Sequence, residues 1–289
     1  MKEYFLTASD GLQLSAARFD CENPKALIQC IHGAREHKKR YYDFIRFLNE
    51  NGYAVLISDL RGHGASVSDK FPLGHMDGLE ALIDDQVCLT KHFKNLYPEK
   101  PLYLFGHSLG SMIARNYLQE NDAEIEKLVM TGTVFPLPVA PLGKRLCDFS
   151  ADQYGKTATK GLACMLGNVK EDRWVCGNRK TMHIYRLDPL VQNCRYTTAA
   201  VGTIVDSNAK LSDFRAFRTQ NPELKILSAT GAQDICSGGA VGLRASARAL
   251  NKAGYQRVFS IVYPGMRHEV LNETDNQRVY HDILAFFNT

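Results

Sequence analysis

A chain of 289 residues, 45% hydrophobic and 23% charged, has the composition of a globular protein with a sizeable core. Its formal net charge of +4 comes from scattered Lys and Arg, so no basic stripe marks a nucleic-acid partner. No apolar run reaches the roughly 18 residues of a membrane span, and the early acid Glu3 with no long apolar stretch after it argues against a secretion signal.

The eight cysteines (Cys21, Cys30, Cys88, Cys147, Cys164, Cys176, Cys194 and Cys236) form no C-x-x-C pair and no zinc spacing. Several sit in apolar runs and read as small hydrophobes, which suits a reducing compartment. The expectation is a soluble, cytoplasmic chain that needs neither metal nor cofactor.

In chain order, Tyr4–Thr7 and Leu12–Phe19 read as strands joined at Ser9-Asp10-Gly11, a hairpin signal. Ala26–Ile31 is a continuous buried-strand pattern ending in His32-Gly33-Ala34-Arg35-Glu36-His37. A helix is predicted over 41–51 and closes at Asn51-Gly52. Tyr53–Ser58 is a strand running into Asp59-Leu60-Arg61-Gly62-His63-Gly64, where Asp59, Arg61 and His63 are expected to brace a loop. Leu79, Leu82, Ile83, Val87 and Phe93 recur at helical spacing over 77–96, with Asp77 and Glu80 as a capping box.

Leu102–Phe105 is the next strand. It meets Gly106-His107-Ser108-Leu109-Gly110 and a helix from Leu109 to Gln119. Strand, tight knot, helix is the context that gives a G-x-S-x-G match meaning, because it exposes the serine hydroxyl at a sheet edge. Alone, the match is also what a chance turn looks like. Lys127–Met130 is a further strand. From Val134 to about Arg215 the alternation stops; a Pro-rich opening (Pro136, Pro138, Pro141) and short amphipathic pieces holding Met165 and Trp174 read as a helical insertion over the sheet edge. Strand 225–229, helix 240–252, strand 258–263 and helix 276–287 then resume the pattern. The expected organisation is a core over 1–133 and 216–289 interrupted by a helical cap over 134–215. The class is α/β, a mostly parallel sheet with helices on both faces.

Two residues complete the chemistry. Asp234 follows strand 225–229 in a Gly-containing loop, and His268 follows strand 258–263. Taken singly, the first is a turn-forming Asp and the second a surface-loop histidine. Together they stand in the order serine, acid, base, each at a C-terminal strand end. His268 is the base for Ser108, and Asp234 holds its tautomer. The N–H groups of Leu109 and Ala34 are the expected oxyanion donors. His32 and His107 read as packed histidines, and Cys236 as a buried inert thiol.

With these residues placed, the chain resembles the α/β-hydrolase superfamily, and within it the monoacylglycerol lipase and lysophospholipase group, also filed with serine aminopeptidase-like hydrolases. The matching stretches are His32-Gly33-Ala34 with Glu36-His37, Asp59–Gly64, Gly106–Gly110 and Tyr263–Glu273. The resemblance implies eight strands with an inserted cap and hydrolysis of an ester of one fatty acyl chain. It implies a small lipid-like ester as partner and leaves room for transient contact with a membrane surface. It places Ser108, Asp234 and His268 in catalysis and Ala34 and Leu109 in the oxyanion hole. Two positions depart from the group's usual pattern. Ser111 replaces a common Gly and is expected to alter only helix packing. Arg35 stands where a small residue is common; it is expected to face solvent, with phosphate binding as the alternative. The competing readings are a small-acyl or aromatic esterase, a peptidase, and a non-catalytic ligand-binding member.

Overall fold

The computed structural model describes residues 1–161 and 172–289. Cys164 and Met165 lie outside the described residues. Eight strands form one sheet in the order β1-β2-β4-β3-β5-β6-β7-β8. They are β1 Lys2–Thr7, β2 Gln13–Phe19, β3 Leu27–Ile31, β4 Ala54–Ser58, β5 Leu102–His107, β6 Ile125–Thr131, β7 Lys225–Gly231 and β8 Arg257–Tyr263. The hairpin β1–β2 and the pair β2–β4 are antiparallel, and every pairing from β4 to β8 is parallel.

The strand residues alternate between two cores, which is why the central strands read as mostly apolar runs. Leu27, Ile31, Leu56, Leu102, Leu104, Leu128 and Met130 face one layer. That layer contains α2 Leu79–Leu96, α3 Leu109–Asn121 and α8 Gly239–Lys252, which add Leu82, Phe93, Ile113, Tyr117 and Leu250. Ile28, Cys30, Val55, Ile57, Tyr103, Phe105 and Val129 face the other. There α1 Tyr42–Glu50 and α9 Asn276–Phe287 supply Phe44, Ile45, Leu48, Ile283 and Phe287.

Between β6 and β7 the described chain is helical: α4 Ala140–Tyr154, α5 Arg179–Leu187, the short α6 Pro189–Gln192 and α7 Thr198–Ala209. Helix α7 packs between α4 and α3, and its Asn208 side-chain amide donates to Phe135 C=O at 2.9 Å.

One predicted cap is corrected. Helix α2 begins after Gly78 (φ 98°) with no side-chain cap. Asp77 and Glu80 instead pair with Lys156 and Lys210. The local pattern suited a capping box, but two lysines remote in sequence hold both carboxylates.

Candidate active site

Ser108 occupies the turn between β5 and α3 with φ 53° and ψ −114°. Among the described residues only Arg35 shares a positive φ without being glycine; such a conformation costs about 1–3 kcal/mol and persists where surroundings over-determine it. Here they do. Ser108 N–H donates to Thr131 C=O at 3.0 Å, and Ser108 C=O accepts from Ser111 N–H at 2.9 Å and from Ser111 Oγ at 2.7 Å. Ser111 is therefore part of the knot, more than the packing change expected of it. A Cβ on Gly110 would sit 2.1 Å from Ile31 C=O, and one on Gly106 would sit 2.5 Å from Gly110 C=O. Only glycine lets strand, turn and helix approach this closely.

Asp234 and His268 meet. His268 Nδ1 is 2.9 Å from Asp234 Oδ1, and both side chains are buried. Asp234 Oδ1 also accepts Cys236 N–H at 2.9 Å, while Oδ2 is buried with no hydrogen-bond partner among the described residues. The His268 loop is fastened by Glu269 N–H donating to Val175 C=O at 2.8 Å. The Trp174 ring lies 4.9 Å from the imidazole on one side and the His107 ring 4.8 Å away on another. Gly132 (φ 53°) makes room for both histidines: a Cβ there would lie 2.7 Å from His268 Cε1 and 2.8 Å from His107 Cε1. A Cβ on Gly33 would lie 3.0 Å from both Ser108 Cβ and His107 Cδ2. Among the described residues Ser108 Oγ makes no hydrogen bond to His268; hydrogen bonds of this kind tighten when substrate binds.

The expected oxyanion donors flank the serine. Leu109 opens α3, so its N–H has no intrahelical partner. Ala34 lies in the turn after β3, and among the described residues its N–H donates to no protein group. The next residue fixes that turn: Arg35 N–H donates to Tyr196 Oη at 2.7 Å. Tyr196 Oη in turn lies 2.9 Å from His63 Nε2, and His63 Nδ1 is 3.1 Å from Arg61 C=O. A carbonyl only accepts, so His63 carries its proton on Nδ1 and Tyr196 donates to Nε2. The Arg35 side chain does not simply face solvent. It is half-buried, and its charge is felt by Tyr185, Cys194 and Tyr196 from the helical segment.

His32, His63 and His107 are buried and hydrogen-bonded. His32 donates from Nδ1 to Gly33 C=O and accepts Leu60 N–H at Nε2, each at 2.8 Å; burial lowers its pKa to about 3. Burial also holds His107 well below the ordinary imidazole range, with the His268 charge adding to the effect. Its Nδ1 is 3.0 Å from Thr131 Oγ1.

Motif residues without a chemical role turn out to hold the loops together. Glu36 accepts Gly33 N–H and, at 2.6 Å, Tyr41 Oη. Arg40 pairs with Glu269 at 2.6 Å and His37 with Asp188 at 2.7 Å. Glu273 accepts both Gly177 N–H and Arg267 N–H. Asp59 receives Lys38 Nζ at 2.8 Å and Ala65 N–H at 2.9 Å. Arg61 forks onto Asp85 at 2.6 and 2.8 Å, fully buried. Asp85→Ala is expected to cost about 3 kcal/mol, since a buried cation loses its main partner; Asp10 still reaches Arg61 at 2.9 Å. Urea unfolding checks the value, and Arg61→Met in the same chain should recover most of the loss.

Cys236 is corrected in part: it is partly rather than fully buried, and that burial raises its thiol pKa to about 12. Trp174 is the neighbour of His268 that sequence reasoning did not place, because its segment shows no regular period. A cavity of about 510 Å³ lies elsewhere, beside Lys25, Tyr53, Lys127 and Phe287 at the opposite end of the strands.

A mostly parallel eight-stranded sheet, with a strained serine turn after β5 and a histidine–aspartate pair after β8 and β7, defines an α/β-hydrolase fold. The family model of the serine aminopeptidases, S33, matches residues 22–275. The chain belongs to that family. A monoacylglycerol lipase of Mycolicibacterium smegmatis is 24% identical over 91% of this chain and 88% of its own length. The human monoglyceride lipase is 27% identical over 90% of this chain and 81% of its own length. Among solved structures, a thermostable carboxyl esterase from Bacillus coagulans superposes with a TM-score of 0.86 at 24% identity, covering 99% of this chain and 97% of the other. No described helix is long and apolar enough to cross a membrane.

Proposed function

We propose that this protein is a serine hydrolase of carboxylic esters that carry a single fatty acyl chain, as in a monoacylglycerol or a lysophospholipid. The observation that carries the reading is the strained Ser108 turn at the same sheet edge as the bonded His268–Asp234 pair. In the mechanism, His268 Nε2 takes the Ser108 proton as Oγ attacks the acyl carbon. Asp234 holds the proton on Nδ1 and stabilises the imidazolium. The Ala34 and Leu109 N–H groups receive the oxyanion, where one donor is worth about 10²–10³ in rate. The proton then passes to the leaving alcohol, and water resolves the acyl-enzyme by the same steps in reverse.

The lipid part of the reading is supported by the surface of the helical segment over 134–215, which we assign as a cap. Val139, Leu142, Leu146 and Phe149 are exposed at helical spacing along one face of α4 and its entry. A contiguous exposed apolar face of this kind marks a membrane or lipid interaction site. The curated relatives named above act, by their names, on monoacylglycerols.

Chain-length profiling with p-nitrophenyl esters tests the reading. A preference for eight or more carbons is expected from a lipid-binding cap; a preference for acetyl or for aminoacyl amides would move the assignment to a small-acyl esterase or a peptidase. Arg35→Ala should depress turnover of lysophospholipid more than of monoacylglycerol if its guanidinium meets phosphate, and an equal loss on both removes that role.

A further inference from the structure

One donor atom each from Asp234, Cys236 and His268 lies within 4.8 Å of the other two. Tetrahedral zinc, with Zn–N and Zn–O of about 2.0–2.2 Å and Zn–S of about 2.3 Å, sets its ligand atoms roughly 3.3–3.6 Å apart. Coordination would draw the three donors about 1 Å closer than that 4.8 Å limit. A second observation is independent of this spacing. Asp234 is 3% exposed, and among the described residues its Oδ2 has no hydrogen-bond partner. Oδ1 already serves His268 Nδ1 and Cys236 N–H, so Oδ2 is an unused anionic donor buried beside a thiol and an imidazole. Such an atom is costly unless something satisfies it. The backbone around the thiol is fixed, because Cys236 C=O accepts Phe135 N–H at 3.2 Å. Cys236 is the least buried member of the three.

We propose that Asp234, Cys236 and His268 form an inhibitory site for a thiophilic divalent cation of the zinc class. The proton balance explains the inhibition. Coordination expels the thiol proton of Cys236 to solvent. It also claims the lone pair at His268 Nδ1, so the ring proton moves to Nε2. The atom that should accept the Ser108 proton then carries one, and Asp234 no longer holds the ring. A dication with one thiolate, one carboxylate and one neutral imidazole has no net charge, which suits a site this buried. The word inhibitory rests on the catalytic reading of Ser108, Asp234 and His268; the binding of metal does not.

The test titrates zinc chloride into the full chain by calorimetry and follows p-nitrophenyl ester hydrolysis in parallel. Cobalt(II) is added separately for its thiolate-to-metal absorption band. Wild type should take up about one zinc per chain, show the cobalt band, lose hydrolysis as zinc binds and recover it with EDTA. Replacing even an outer partner of a metal ligand costs about 10–100-fold in affinity. Cys236→Ser is therefore expected to weaken zinc by at least about tenfold and to lose the cobalt band, with its rates read against its own metal-free rate. Cys236→Ala serves if the serine variant folds poorly, and the wild-type cobalt spectrum needs no variant. Zinc binding with a Cys236-dependent band in a chain that never hydrolyses esters supports the site and sinks the catalytic reading. An active enzyme that binds no zinc, or is inhibited equally with and without Cys236, overturns the proposal.

Discussion

Ser108→Ala is expected to lower ester hydrolysis by roughly a million-fold, to the residue that oxyanion donors and binding alone sustain. It should also abolish labelling by a fluorophosphonate probe, which reacts only with an activated serine. The fold should survive. Ser108 Oγ makes no hydrogen bond among the described residues, and its backbone is held by Thr131 and Ser111 instead. Alanine at φ 53° bears the same strain as serine, so the change in stability should stay within about 0.5 kcal/mol. Retained turnover in a folded variant would assign the chemistry to another residue. Cys236 is the alternative nucleophile nearest the pair, but burial keeps its thiol protonated, with a pKa of about 12, and only the thiolate attacks.

The sheet was legible because its central strands are buried on both faces: β3, β4 and β5 are buried from end to end and β7 from its second residue on, so apolar residues dominate them. The serine turn was legible because close approach at Gly106 and Gly110 leaves no room for another residue. What sequence could not give is pairing between distant side chains. Asp77 is held by Lys156 and Glu80 by Lys210, which removed a capping box that looked complete locally. Arg35 was expected in solvent, yet its amide is tied to Tyr196, far along the chain. Trp174 reaches His268 from a segment with no period to read. Glu36, Glu269 and Glu273 belonged to recognisable motifs, but their work is to bind one loop to another through Gly33, Arg40, Gly177 and Arg267. That work becomes visible only once the strands have brought the loops together.

Stability should fall steeply on the acid side of neutrality, and the buried histidines set the slope. His32 is lowered to about 3 and His63 to about 4, both by burial, and His107 lies well below the ordinary 6.5. Below pH 6.5 the unfolded chain binds protons at these positions that the folded chain refuses, so stability is lost as pH falls from 6.5 towards 4. Glu36 opposes them. Burial raises its carboxyl to about 7 from an ordinary 4.5, so between those values the folded chain holds a proton that the unfolded chain releases. Three histidines against one glutamate leave about two protons, or about 2.7 kcal/mol per pH unit. His75 and His92 are lowered as well and add to the same slope. From pH 6.5 to 5.0 the urea-extrapolated stability should drop by about 3–4 kcal/mol, a large part of the 5–15 kcal/mol typical of a domain. Glu36→Gln separates the contributions. Its amide oxygen still accepts Gly33 N–H and Tyr41 Oη, but the opposing proton is gone, so the slope should steepen to about 4 kcal/mol per unit. A shallower profile in Glu36→Gln would mean that Glu36 takes up no proton on folding, and a flat profile in wild type would mean that these histidines are charged in the folded chain. That outcome would reach the site itself. A charged His107 ring 4.8 Å from His268 would oppose the imidazolium that the proposed proton transfer from Ser108 requires.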